Sequence, residues 1–165
     1  MATVQDKDSC NGDGIAAKAE MLIRSPVARV FEAFTDPAIT SKFWFSRGSG
    51  KLEPGAAVRW DWEMYGFSVD ARVLAIERNR RLVVEWSAYG APSTIEWLFT
   101  ARPDGTTFVS VTNSGFVGSM REVASLAIGA TEGFAFLLAG AKALLEHGVQ
   151  LQLVPDRFPD GLPKG

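Results

Sequence analysis

Hydrophobic and polar positions fall into two periodicities along the chain, and the longer-range one is the clearer. Between Ser119 and His147, Val123, Leu126, Ala127, Ala130, Phe134, Leu137, Leu138, Ala141, Leu144 and Leu145 recur at three- and four-residue steps, forming one apolar stripe. Ser119 followed three residues later by Glu122 reads as a capping box, and His147 before Gly148 supplies the stop. At ~1.5 Å per residue such a helix runs roughly 40 Å, longer than the usual globular helix. A broad apolar surface must therefore lie beneath it.

Upstream the period drops to two. Ala17 to Arg24 alternates loosely and predicts a first strand. Ser25-Pro26 is a helix start, with Val27, Val30, Phe31 and Phe34 on one face and Asp36-Pro37 as its end. A second short helix is expected from Pro37 to about Trp44, and a loop over Ser46 to Gly55. Val58, Trp60, Trp62 and Met64 then alternate strictly with Arg59, Asp61 and Glu63. Phe67 to Val73 continues the alternation until Leu74 and Ile76 change face, which predicts a bulge or a strand end buried on both faces. Leu82, Val84 and Trp86 make the next run, and Gly90 to Pro92 turns into Ile95, Trp97 and Phe99. Asp104-Gly105 is a hairpin signal before Thr107 to Asn113. Strands joined by short turns form an antiparallel meander with one apolar face. The order β-α-α-β-β-β-β-β-α gives an α+β fold. Residues 1–14 and 151–165 read as tails around one domain of residues 15–150.

Composition narrows the function more than the fold. The chain has 165 residues, 47% hydrophobic and 22% charged, the profile of an ordinary globular domain. A net charge of −2 gives no electrostatic pull toward nucleic acid or an anionic membrane. The single cysteine, Cys10, forms no internal disulfide, and no apolar leader follows a basic start. These features predict a cytoplasmic protein with neither signal peptide nor membrane insertion. The aromatic content stands out: 5 Trp and 11 Phe against one His.

Those aromatics concentrate on one predicted sheet face, as Trp60, Trp62, Met64, Val84, Trp86, Trp97 and Phe99. The helix opposite is rich in small residues: Gly129, Ala130, Gly133, Ala135 and Gly140. Glycine inside a helix costs roughly 0.5–1 kcal/mol relative to alanine, so its use needs a reason. Either large residues pack against small ones in a dense core, or the space holds a ligand against aromatic walls. On the residues alone, packing is the commoner outcome.

Catalytic groups are sparse. His147 is explained by the helix end. Asp61, Glu63, Glu85 and Glu96 alternate with core residues and so point away from the apolar face. One His and one Cys leave no common zinc set and no Ser-His-Asp set. Gly48, Gly50 and Lys51 imitate a phosphate loop, but Phe45 and Leu52 occupy its defining glycine and hydroxyl positions. Arg78, Arg80 and Arg81 read as a solvated turn.

In order along the chain, SPVARVFEAFTDP (Ser25 to Pro37), Phe43-Trp44, Pro54-Gly55, NRRLVVEW (Asn79 to Trp86), DGTTFVSVTNSGF (Asp104 to Phe116) and EGFAFLLAGAKALLEHG (Glu132 to Gly148) resemble one family. It is the Hsp90-ATPase-activator-homologue group of START-like, or SRPBCC, domains. The resemblance covers about residues 16 to 150. It implies a helix-grip, Bet v 1-like fold: a curved antiparallel sheet around a long C-terminal helix, two short helices between strands 1 and 2, and an apolar cavity. It also reverses the balance between packing and ligand space.

On that reading Trp62, Met64, Val84, Trp86, Trp97 and Phe99 line the cavity from the sheet, and Phe134 and Leu138 from the helix. Trp44 stands at the implied entrance, as a lid contact or as a core anchor. Asn113 and Phe116 lie where the last strand leaves the sheet; Asn113 either bonds a ligand or caps a turn. The expected partner is a small hydrophobic or aromatic ligand, lipid- or polyketide-like, with no cofactor and no metal, the protein being monomer or homodimer. The family also admits a polyketide cyclase or hydrolase using Asn113, Tyr65 or Tyr89, and an Hsp90-like chaperone as partner. Fold alone does not choose among these.

Overall fold

The computed structural model describes residues 14–164. Its strands are β1 (Ala17–Ile23), β2 (Arg47–Gly48), β3 (Ala57–Trp62), β4 (Phe67–Glu77), β5 (Arg81–Tyr89), β6 (Ala91–Ala101) and β7 (Thr107–Ser114). They form one seven-stranded sheet in the order β1-β7-β6-β5-β4-β3-β2, and every pairing is antiparallel. From β3 to β7 each strand pairs with its sequence neighbour, because short turns return the chain beside itself. The helices are α1 (Val27–Thr35), α2 (Pro37–Thr40), α3 (Met120–His147) and α4 (Leu153–Arg157).

The period-two pattern sets the core. Trp60, Val69, Ala71, Val84, Trp86, Ile95, Trp97, Phe99, Val109 and Val111 are buried on the sheet's inner face. Arg59, Asp70, Arg72 and Leu98 stand on the wet face. The expected bulge is present as a register shift between Val73 and Ala75, and Leu74 beside it is exposed.

α3 is built as its ends predict. The Ser119 hydroxyl accepts from the Glu122 N–H at 3.2 Å, and the Glu122 carboxylate accepts from the Ser119 N–H at 2.7 Å. Gly148 closes the other end at φ 66°, its N–H donating to the Leu144 carbonyl. By length and composition α3 alone among the described elements is apolar enough to cross a membrane. Here it is the core helix, lying along β1 with lesser contact to β7 and α4. Its last turn is tied to β1. The Lys142 ammonium donates to the Leu22 carbonyl at 2.8 Å and to Glu146 Oε2 at 2.6 Å, and the Arg24 N–H donates to the same carboxylate at 3.1 Å.

Several local expectations change on contact with tertiary structure. Pro26, not Ser25, is the N-cap of α1, and the buried Ser25 hydroxyl has no partner among the described residues. The proline fixes the extended entry into the helix without any side-chain cap. α2 ends at Thr40, whose hydroxyl donates to the Ala33 carbonyl at 2.6 Å, so Phe43, Trp44 and Phe45 follow it as irregular, buried chain. The glycine-bearing stretch after it contains the two-residue edge strand β2 rather than loop alone. Met64 leaves the sheet altogether: Glu63–Tyr65 is a 3₁₀ turn ending at Gly66 (φ 60°), and Met64 is 40% exposed. Strict alternation overran the strand because a tight turn has no period-two signature. Pro92 sits inside β6, where β7 has not yet begun to pair and the β5 register shifts, so no ladder N–H is missed there. Residues 1–13, including Cys10, lie outside the described residues.

Candidate functional site: an aromatic cavity under the long helix

Because α3 leans toward the β1 side, the inner face of β3 to β5 is covered by side chains instead of helix backbone. Trp44 is the hub of that cover. Its ring centroid lies 5.0 Å from Trp60, 5.5 Å from Trp62, 5.9 Å from Trp86, 6.1 Å from Trp97 and 6.4 Å from Phe134. Most of these pairs are tilted or edge-on, the geometry that ring quadrupoles favour. The cluster stops short of the outer part of α3, and a cavity of about 330 Å³ opens there.

Four elements enclose it. Trp62, Phe67, Trp86, Ala88 and Tyr89 come from the sheet; Trp44 and Tyr65 from the connecting segments; Gly129, Glu132, Gly133 and Phe136 from α3; Val154, Arg157, Phe158 and Leu162 from the C-terminal stretch. Gly129 and Gly133 have no heavy atom within 4 Å of the place a Cβ would take, so their missing side chains are space. Gly140 is different: a Cβ there would meet the Phe43 Cβ at 3.1 Å and the Phe43 carbonyl oxygen at 3.3 Å. The small-residue helix thus differs between turns: Gly140 is closely packed, while Gly129 and Gly133 are exposed and border the cavity.

The polar groups on the wall are few. The Tyr65 hydroxyl donates to the Val154 carbonyl, and its ring meets Phe158 edge-on at 6.0 Å, pinning α4 to the turn after β3. Arg157 pairs through Nε with Glu132, and its guanidinium lies 4.3 Å from the Phe158 ring centre. Burial pushes the Tyr89 hydroxyl up to about 12. It is protonated at neutral pH, able to donate a hydrogen bond but unsuited to act as a base there. Among the described residues no group of three His, Cys, Asp or Glu side chains is placed to hold a metal ion.

Of the residues singled out from the sequence, Trp44, Trp62 and Trp86 line this cavity. Val84, Trp97, Phe99 and Leu138 are solid core. Phe134 sits behind the wall, 6.1 Å from Trp86, and Phe116 packs on Tyr89 at 5.5 Å. Met64 borders a separate cleft of about 60 Å³. Asn113 is buried and half satisfied: its Nδ2 donates to Ser93 Oγ at 3.0 Å and to the Thr94 carbonyl at 2.9 Å, its Oδ1 has no hydrogen-bond partner among the described residues, and Trp86 Nε1 donates to the same Ser93 oxygen at 3.1 Å. It braces the cavity wall from behind and caps no turn. The lining from α4 and from Leu162 went unseen in the sequence. Val154, Phe158 and Leu162 at four-residue spacing were its only signal, masked by prolines at 155, 159 and 163.

A sheet packed on one final long helix, with two short helices after the first strand, defines the helix-grip class of START-like, SRPBCC proteins. The chain belongs to the family described as Activator of Hsp90 ATPase homolog 1-like protein, whose sequence profile matches residues 24–146. Among solved structures it is similar to protein SSP2350 from Staphylococcus saprophyticus, at 28% identity and TM-score 0.71, covering 83% of this chain and 96% of that one. It is also similar to DynU16, a protein of the dynemicin biosynthetic locus, at 26% identity and TM-score 0.68 over 82% of this chain; the match spans 49% of DynU16. The fold is shared with the Aha1 dimer from Colwellia psychrerythraea, at 19% identity and TM-score 0.69, over 81% of this chain and 98% of that one. Among proteins of curated function no match was found.

Proposed function

We propose that this protein binds a small hydrophobic molecule with an aromatic or polycyclic body, polyketide- or lipid-like, in the cavity between β3–β5, α3 and α4. The observation that carries the reading is the pairing of open space at Gly129 and Gly133 with the rings of Trp44, Trp62 and Trp86 across from it. A volume of about 330 Å³ suits a ligand of two or three fused rings. Affinity would come from desolvating rings at about 25 cal/mol per Å² of apolar surface. Similarity to DynU16 supports a polyketide-type ligand, and the lone cysteine supports a cytoplasmic setting. The family description also suggests a chaperone partner; the ring-lined cavity favours the ligand.

The test is N-phenyl-1-naphthylamine, a neutral probe of a naphthalene and a phenyl ring that takes up tryptophan emission. Titration is expected to quench the tryptophans saturably and to brighten the probe. Gly133→Leu, which projects an isobutyl group into open space, is expected to abolish both changes while leaving the circular dichroism spectrum intact. A probe that fails to bind the wild type, or that binds Gly133→Leu as well, would end this reading.

A further inference from the structure

The cavity wall carries one feature that an apolar ligand does not use. Glu132 and Arg157 are the only charged residues among those lining it, and they meet at its rim. Arg157 engages Glu132 through Nε alone; its two terminal nitrogens have no hydrogen-bond partner among the described residues. A guanidinium presents five N–H groups in a planar fork suited to two-point capture of an acid. Here the fork is held in place from behind by the Phe158 ring at 4.3 Å, and the helix that ends at Arg157 is pinned through Tyr65. The side chains are 43% and 44% exposed, so the pair is open to exchange with an incoming anion.

We infer that Arg157 reads an acidic group on the ligand. The bound molecule would place its ring system against Trp44, Trp62 and Trp86 and its carboxylate, sulfonate or phosphate on the terminal nitrogens of Arg157. This rests on the cavity binding proposed above and adds the charge of the ligand to it. Glu132 holds the guanidinium over the rim when the cavity is empty and competes with the ligand's acid when it is full. Both the arginine and its ring support lie beyond residues 24–146, so the family profile does not carry this device. It belongs to the C-terminal stretch of this chain.

A matched pair of probes separates the two proposals. 8-Anilinonaphthalene-1-sulfonate is N-phenyl-1-naphthylamine with a sulfonate added, so the two differ by the acidic group alone. With the full chain, Arg157→Gln is expected to weaken the sulfonate probe about five- to tenfold, the value of a charge-assisted hydrogen bond reduced for solvent exposure. The neutral probe loses only the guanidinium's contact with the wall in that variant, so the ratio of the two affinities, not either one alone, reads the charge. Arg157→Lys should retain part of the preference, and Glu132→Gln should tighten the sulfonate probe. If Arg157→Gln leaves both probes unchanged, or weakens both equally, Arg157 is no reader of charge and this inference falls while cavity binding stands. If the neutral probe does not bind the wild type, both fall.

Discussion

Two glycines on one helix make opposite demands on a methyl group. At Gly133 an added Cβ meets nothing within 4 Å, so Gly133→Ala keeps only the helix-propensity gain and is expected to stabilise by about 0.5–1 kcal/mol. At Gly140 the methyl would press on the Cβ and carbonyl of Phe43, whose ring packs edge-on against Phe34 at 5.5 Å. Gly140→Ala should lose that gain to the contact, so thermal melts should rank Gly133→Ala above wild type and Gly140→Ala below Gly133→Ala. The reverse order would contradict the division of the helix into packed and open turns. Glu146 offers a second residue-scale check. Burial alone would raise its carboxyl; the Lys142 ammonium, the Arg24 N–H and the Arg24 guanidinium outweigh that and hold it below the usual glutamate value of 4.5. A lowered folded-state pKa contributes stability above the usual value, lost as pH falls through the lowered one. Glu146→Gln should therefore cost roughly 1–3 kcal/mol at pH 7, and its deficit against wild type should shrink as denaturation is followed from pH 5 downward.

Elements were legible in the sequence in proportion to how many turns or alternations they contain. α3 offered ten periodic apolar positions and both caps, and the structure has it as Met120–His147. The strands β3 to β7 were visible through alternation because one face is core and the other solvent. Short elements gave no such signal. β2 has two residues, α2 has four and α4 has five, each too brief for a period to show; of these α2 alone was expected, from its start at Pro37, with its end overrun to Trp44. Their positions are set by tertiary contacts: α2 by Thr40 on Ala33, β2 by pairing with β3, α4 by Tyr65 and Glu132. The candidate site was legible only in part for the same reason. Its sheet wall, Trp62 and Trp86, followed from alternation, and its open turns, Gly129 and Gly133, from the unusual use of helical glycine. Its fourth side comes from α4, and Met64 was lost to a 3₁₀ turn that alternation cannot see. Which tryptophan lines space and which fills core depends on where α3 crosses the sheet, and no local pattern encodes that.

At the scale of the molecule, the core and the cavity have different dependencies on the C-terminal stretch. Every strand pairing, the inner face of the sheet and the buried stripe of α3 lie within residues 17–147, and α4 has no fully buried residue. Removing α4 should therefore leave folding nearly untouched while opening one side of the site. A chain ending at Gly148 keeps the left-handed cap of α3 and loses Val154, Arg157, Phe158 and Leu162. Cooperative unfolding should persist with a midpoint close to that of the full chain, since surface changes away from the core usually fall within about 0.5 kcal/mol. Binding should respond quite differently. Losing roughly 60 Å² of apolar contact corresponds to about tenfold weaker affinity at about 25 cal/mol per Å², so the neutral naphthyl probe should bind the shortened chain at least that much less tightly. The sulfonate probe should lose its advantage over the neutral one as well, because Arg157 leaves with the segment. A shortened chain that unfolds without cooperativity would show α4 to be part of the core, and one that binds both probes like the full chain would show the cavity to need only three sides.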